Sequence, residues 1–212
     1  MSGATALVVD VLRATTTLTC AFANGLAGVT ACATIDEARA EHARDPETLL
    51  GGERDGVKIE GFDFGNSPAE YTAERVRGKR LVFVTTNGTA AIRRARGARR
   101  VLASFVNAAA AVDLAARATQ VVIVCAGRLG RFSLEDAACA GLLASRLQQR
   151  GFEPAGAGSR VALELVPANA SDVRRILDGS DHGRRLIRMG GEYALDVERC
   201  AALDSINRAS EV

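Results

Sequence analysis

Thr5-Ala-Leu-Val-Val-Asp10 is an unbroken apolar run closed by a carboxylate, and Arg13-Ala-Thr-Thr-Thr17 leads from it into an apolar helical stretch that stops at Asn24-Gly25. A run of this kind is how a strand buried on both faces reads. A helix that ends in Asn-Gly has a glycine C-cap. The same unit of strand, polar turn and helix recurs along the chain. Residues 29–33 form a short strand before Thr34-Ile-Asp-Glu37, a capping box that opens a charged helix to about residue 44. Another short strand is expected over 48–50. Residues 80–85 enter the turn Thr85-Thr-Asn-Gly-Thr89 and a helix ending at Gly97. Residues 100–104 and 120–125 repeat the strand, with helices over 107–118 and 133–150. About six alternations predict an α/β fold, three-layer α/β/α with a mostly parallel sheet, open to division into two α/β parts flanking a cleft. The chain reads as one unit over 1–212, with an internal division near 50–80 left open and a helical C-terminal part over 168–212. Residues 152–168 suit either strand or helix.

Between these units lies Gly51-Gly-Glu-Arg-Asp-Gly-Val-Lys-Ile-Glu-Gly-Phe-Asp-Phe-Gly-Asn-Ser-Pro68, with five glycines and six charges and no helical or strand period. It reads as a long binding loop, because loops of this length inside a compact domain are uncommon and usually functional. Val57, Ile59, Phe62 and Phe64 supply apolar anchors that a linker would lack. Glu53, Asp55, Glu60 and Asp63 form the densest carboxylate cluster in the chain, with Arg54 and Lys58 among them. Ser67-Pro-Ala-Glu70 is a second capping box with proline at the first helical position, and predicts a helix to about residue 75.

Composition narrows the function. Over 212 residues the net charge is +2, with 48% hydrophobic, 25% charged and 4% aromatic residues. This is no strong field for nucleic acid or a membrane surface, and there are few rings for stacked bases. No apolar run reaches the roughly 18 residues of a membrane span, and the N-terminus reads without the basic flank of a signal peptide. A cytoplasmic protein is expected. The five cysteines lack a C-x-x-C pair and there are two histidines, which argues against zinc. His42 reads as solvated; His182, in Ser-Asp-His-Gly, reads as a helix-start residue with a general-acid role as the alternative.

Ligands of a doubly wound sheet bind at the carboxyl ends of the strands. Four polar turns fall there: Asp10, Arg13, Thr15 and Thr16; Thr86 to Thr89; Asn107; and Gly127 to Ser133. Hydroxyls, glycines and free amides at helix starts suit an anionic phosphate, although each residue alone could be only a cap. Neither a P-loop nor a G-x-G-x-x-G turn occurs. Asp10 could pair structurally with Arg13. Cys125-Ala-Gly-Arg-Leu-Gly-Arg131 has the C-x5-R spacing of a thiolate phosphatase, a weak signal in a chain with twenty-five arginines.

Together these stretches resemble the 2-phosphosulfolactate phosphatase family. The resemblance rests on Val8-Val-Asp-Val-Leu-Arg-Ala-Thr15, Gly51-Gly-Glu-Arg54, Val57-Lys-Ile-Glu-Gly-Phe-Asp63, Gly65-Asn-Ser-Pro68, Thr85-Thr-Asn-Gly-Thr89, Cys125-Ala-Gly and Gly130-Arg-Phe-Ser-Leu-Glu-Asp136. Weaker matches occur at Ser180, His182-Gly183, Asp196, Cys200 and Asp204. Set against that resemblance, the sequence begins about where the family's first buried strand is expected and stops before the family's full ending is expected, and 153–178 match poorly. The resemblance implies a Mg²⁺-dependent phosphomonoester hydrolase acting on 2-phospho-3-sulfolactate, a step toward coenzyme M. On this reading Asp10, Glu53 and Asp63 are the metal ligands and, with Arg131, the catalytic residues; Glu60, Glu135 and Asp136 stand in reserve. Arg13, Thr15, Arg54, Lys58, Asn66, Thr86, Asn87, Gly88, Thr89, Asn107, Gly127 and Ser133 are expected to bind the small anionic phosphorylated substrate. A thiolate phosphatase using Cys125 and a non-catalytic phosphometabolite-binding protein are the rivals. The sequence is silent on whether the chain forms a homo-oligomer.

Overall fold

The structure, a computed structural model, describes residues 3–212. In chain order the elements are β1 (Thr5–Val9), α1 (Ala14–Ala23), β2 (Gly28–Ala31), α2 (Ile35–Arg44), β3 (Leu49–Arg54), β4 (Val57–Lys58), α3 (Ala73–Val76), β5 (Arg80–Val84), α4 (Gly88–Arg94), β6 (Arg99–Ala103), α5 (Ala108–Ala115) and β7 (Val121–Cys125). Helices α6 (Leu134–Gln148), α7 (Ala157–Leu163), α8 (Ala170–Gly179), α9 (Asp181–Met189) and α10 (Gly191–Cys200) follow. The ambiguous stretch near residue 160 is therefore helical.

The α/β class and the parallel pairing agree with the sequence, and the strands fall into two sheets. β1 lies between β6 and β7, parallel to both, with Val9 opposite Ala103 and Cys125. β5 lies between β2 and β3, parallel to both, and β3 turns back into the antiparallel β4. Side chains alternate across each strand. Leu7 and Val9 face a core built from α5, α6 and the C-terminal helices. Ala6 and Val8 face the other way, onto α1 and α4, whose far flank meets Leu81 and Phe83 of the second sheet. Leu50, Val82 and Val84 then face α2. The order of layers is helix, sheet, helix, sheet, helix. β1 reads as continuously apolar because both of its faces are covered.

Two local expectations differ from the structure. The stretch that reads as an irregular loop begins as a hairpin over 51–58, because β3 continues through Gly51 and Gly52 to Arg54 before turning at Asp55-Gly56; only the part after it is irregular. These glycines hide the strand pattern, and they are there for close approach. A Cβ at Gly51 would stand 2.5 Å from the Tyr71 hydroxyl, and one at Gly52, where φ is +147°, would stand 1.9 Å from Val84 O. The capping box at Ser67 forms, but it opens a single 3₁₀ turn over Pro68–Glu70 and not a continuous helix. The chain bends there to bury Tyr71, whose ring stacks on Phe64 at 4.8 Å between centroids and whose hydroxyl donates to Gly65 O.

This arrangement brings the carboxyl end of β1 to the carboxyl ends of β3 and β5. The start of α9 closes the gap between them.

Candidate active site

Asp10 leaves β1 into a turn locked by its neighbours. Its amide donates to Thr15 Oγ1 (3.0 Å), and the Thr15 hydroxyl lies 2.8 Å from Ala103 O. Asp10 Oδ1 accepts from the Ala14 amide at 3.3 Å. Its Oδ2 lies against Gly88, where a Cβ would stand 2.6 Å away, so only glycine lets α4 start beside this carboxylate. Glu53, at the end of β3, is held by three donors: the Thr86 amide (2.7 Å), the Thr86 hydroxyl (3.1 Å) and the Gly56 amide (2.7 Å). Asn87 accepts from the Leu129 amide (2.9 Å), which ties the 128–131 hairpin over the same edge. Asp10, Glu53, Asn66, Arg128, His182 and Arg185 share one narrow cleft, with space for about 30 Å³.

Behind the cleft stands a buried framework. Asp136 accepts from the Val11 amide (2.9 Å) and the Gly127 amide (3.0 Å), and so joins the turn after β1 to the turn after β7. Arg13 donates to Asp196 (2.7 Å) and Gly56 O (3.0 Å), and its guanidinium lies 5.2 Å from the centre of the Tyr193 ring. Asp196 also accepts from the Ser67 hydroxyl (2.7 Å) and from Arg199 (3.0 Å). The C-terminal helices are thereby anchored to both sheets.

The electrostatics are those of crowded carboxylates. Burial raises Asp10 to about 7; the charges of Glu53 and Glu135 add to this, and the Ala14 amide and Arg13 oppose it. Burial, with Asp10 and Glu135 adding, holds Asp136 well above the usual carboxylate range, and Glu135 is raised by burial as well. His182 is lowered to about 4 by burial and by Arg128, Arg13 and Arg185, so it is neutral at pH 7. Its Nδ1 lies 3.9 Å from Glu135 Oε1. One consequence is open to measurement. Between about pH 4 and 7 the folded chain binds more protons than the unfolded chain at Asp10, so the contribution of Asp10 to stability falls as pH rises through that window, while that of His182 rises between about 4 and 6.5. Thermal melts without divalent cation, at fixed ionic strength, should show the Tm of Asp10→Asn rising relative to the wild type as pH goes from about 4 to 7, because the variant lacks the falling contribution.

Among the expected residues, Asp10, Arg13, Glu53, Asn66, Thr86 and Asn87 line the cleft. Gly88 packs on Asp10. Thr15 locks the first turn, the Gly127 amide binds Asp136, and Ser133 caps α6. Asn107 ties the end of β6 to Arg208 O (3.2 Å). Thr89 exchanges hydrogen bonds with Thr85. None of these last six is among the cleft's lining residues, and four more stand apart from the cleft and from the turns that frame it. Asp63 is exposed, with its carboxylate accepting from the Leu50 amide, and Lys58 donates to Asp63 O. Arg131 is exposed across the hairpin from Arg128, and Arg54 points to Ala33 O. Arg128 and Arg185 enter the cleft without a sequence signal, since no spacing separates them from the other arginines. Asp196, a weak match in the sequence, is the buried partner of Arg13.

Buried acids and guanidinium groups share this narrow cleft at the carboxyl ends of parallel strands, the place where a sheet of this kind binds its ligands. A family model described as 2-phosphosulpholactate phosphatase matches residues 1–211. The chain belongs to that family and is a phosphoric monoester hydrolase. A protein of Thermotoga petrophila is 42% identical over 200 residues, 94% of this chain and 85% of that one. A protein of Symbiobacterium thermophilum is 43% identical over 212 residues, 97% and 90% of the two chains. One of Deinococcus radiodurans is 41% identical over 204 residues, 94% and 84%. All three are named probable 2-phosphosulfolactate phosphatase.

Proposed function

We propose that the chain is a Mg²⁺-dependent phosphatase that hydrolyses 2-phospho-3-sulfolactate to 3-sulfolactate and phosphate in the cytoplasm, on the way to coenzyme M. The observation that carries this reading is the meeting of Asp10 and Glu53 with Arg128 and Arg185 in one cleft. Among the described residues no helix is long and apolar enough to cross a membrane. The names of the relatives support the choice of substrate.

The donor set fits Mg²⁺. This ion binds through one or two carboxylates with water and substrate oxygens, and needs no all-protein cage. Among the described residues no three His, Cys, Asp or Glu side chains are placed to hold a metal ion by themselves, so water and substrate oxygens would have to complete its shell. Asp10 and Glu53 would hold the ion; Asp10 Oδ2 is the oxygen left for it, and a cation there would offset the burial and the nearby acid charges that raise Asp10. Bound there, the ion would supply charge neutralisation and a more acidic water. Asp63 takes no part in this scheme.

The protein's own groups would divide the remaining work. Arg128 and Arg185 bind the phosphate and the sulfonate through planar forks that match both anions. Asn66 and the Thr86-Asn87 turn orient the substrate. His182, neutral and 3.9 Å from Glu135, would orient the attacking water in the cleft.

The rival thiolate mechanism has little support. Burial pushes Cys125 up to about 12, and its thiol lies 3.6 Å from Asp136 O. Cys125→Ser should leave kcat/KM within about threefold of the wild type, as expected of a residue outside the reacting cleft. The deciding experiment is phosphate release from a panel of phosphomonoesters with Mg²⁺ and after EDTA. Phosphosulfolactate should be turned over best, and chelation should lower the rate at least about tenfold. A flat panel beside tight binding would show a sensor and sink the proposal.

A further inference from the structure

A second and larger depression lies on the other side of Thr86. It is a groove of about 590 Å³, within the usual size of small-molecule sites. Thr86, Ala90, Arg93 and Arg94 form one wall, spaced to share a face of α4 and the turn before it. Arg96 extends that wall beyond the helix, and Arg54 faces it from the end of β3. No acidic side chain lines the groove. Arg93 pairs with Glu37 at 2.9 Å. Arg54 bonds only carbonyl oxygens, those of Glu53 (3.1 Å) and Ala33 (3.4 Å). Arg94 and Arg96 have no carboxylate partner among the described residues. Four guanidinium groups therefore surround one groove with a single acid between them, and like charges so placed repel unless an anion joins them. The small side chains at Thr86 and Ala90 leave the floor open to a ligand.

We propose that this groove is an effector site for a small molecule carrying two or more phosphate, carboxylate or sulfonate groups. Planar guanidinium forks are suited to all three. The groove and the cleft share Thr86, whose amide and hydroxyl hold Glu53. An anion in the groove cancels part of the positive field that draws an anionic substrate to the cleft, so it raises KM and leaves kcat nearly unchanged. This effect on KM rests on the phosphatase reading; binding in the groove does not.

Benzenedisulfonate, a dianion that does not chelate Mg²⁺, is the probe. Calorimetry at fixed ionic strength should give one binding event in the wild type that is weakened about tenfold or more in Arg94→Ala/Arg96→Ala. Both residues are exposed and outside the catalytic cleft, so basal hydrolysis should persist. In the wild type the probe should raise KM severalfold to a plateau, and in the double variant it should not. The single Arg96→Ala, beyond the end of α4, should give an intermediate loss and guards against a folding effect. Unchanged binding in the double variant would overturn the proposal. So would a KM that climbs without a plateau, because the probe would then be occupying the cleft itself.

Discussion

Asp10→Asn should lower kcat/KM on the order of 10³-fold while the protein stays folded. The substitution preserves shape, and the amide oxygen can still accept from Ala14 N, so the turn after β1 is retained. What is lost is the negative charge on the oxygen beside Gly88, the one atom of the pair not already committed to the backbone. Glu53 cannot substitute for it, since both of its oxygens are held by Thr86 and Gly56. The variant should be no less stable than the wild type above pH 7, because it removes a carboxylate that burial and two neighbouring acids make costly to ionise. Steady-state phosphate release at saturating Mg²⁺, with thermal melts alongside, tests both parts. A loss of less than about tenfold would place the reacting centre elsewhere.

Asp196→Ala should destabilise the fold by about 3–5 kcal/mol, the usual effect of removing one partner from a buried ion pair. Both side chains of the Arg13–Asp196 pair are almost fully buried, at 3% and 0% exposure. Without Asp196, the Arg13 charge keeps only Gly56 O and the face of Tyr193. Ser67 and Arg199 lose their acceptor as well. At about 2–4 °C per kcal/mol for a chain of this size, Tm should fall by roughly 6–20 °C. Activity should fall too, since the same pair holds α10 to the β1 turn and to the β3–β4 hairpin. Replacing both members, as Arg13→Met with Asp196→Leu, should recover much of the stability but not the activity, because the anchor to Gly56 is still missing. Urea denaturation separates these outcomes, and a loss under about 1 kcal/mol for Asp196→Ala would mean the pair is not the anchor described.

Elements with strong local signals were legible in the chain itself. β1 was marked by its unbroken apolar run, α2 by its capping box and α6 by Ser133 at its N-cap, because strand burial and helix capping leave their mark within a few neighbouring residues. The cleft's backbone turns were legible for the same reason, and so were Asp10, Glu53 and Asn66. The hairpin at 51–58 was not. Its strand carries Gly51 and Gly52, needed for approach to Tyr71 and Val84, and these erase the alternation that a strand normally shows.

What lay beyond local reading was which distant groups would meet. The split into two sheets depends on β1 choosing β6 and β7 while β5 chooses β2 and β3, and each apolar strand carries equally good signals for either partner. Arg128 enters the cleft and Arg131, three residues on, does not, because the hairpin between them reverses the direction of the chain. Asp63, in the densest acidic cluster of the sequence, turns away to bind the Leu50 amide, while Asp136 and Asp196 arrive from far along the chain to brace the first turn. The kinds of residue needed at an anionic site are written in the turns. Their selection rests on desolvation and long-range contact, which act only once the two sheets and the C-terminal helices have packed together.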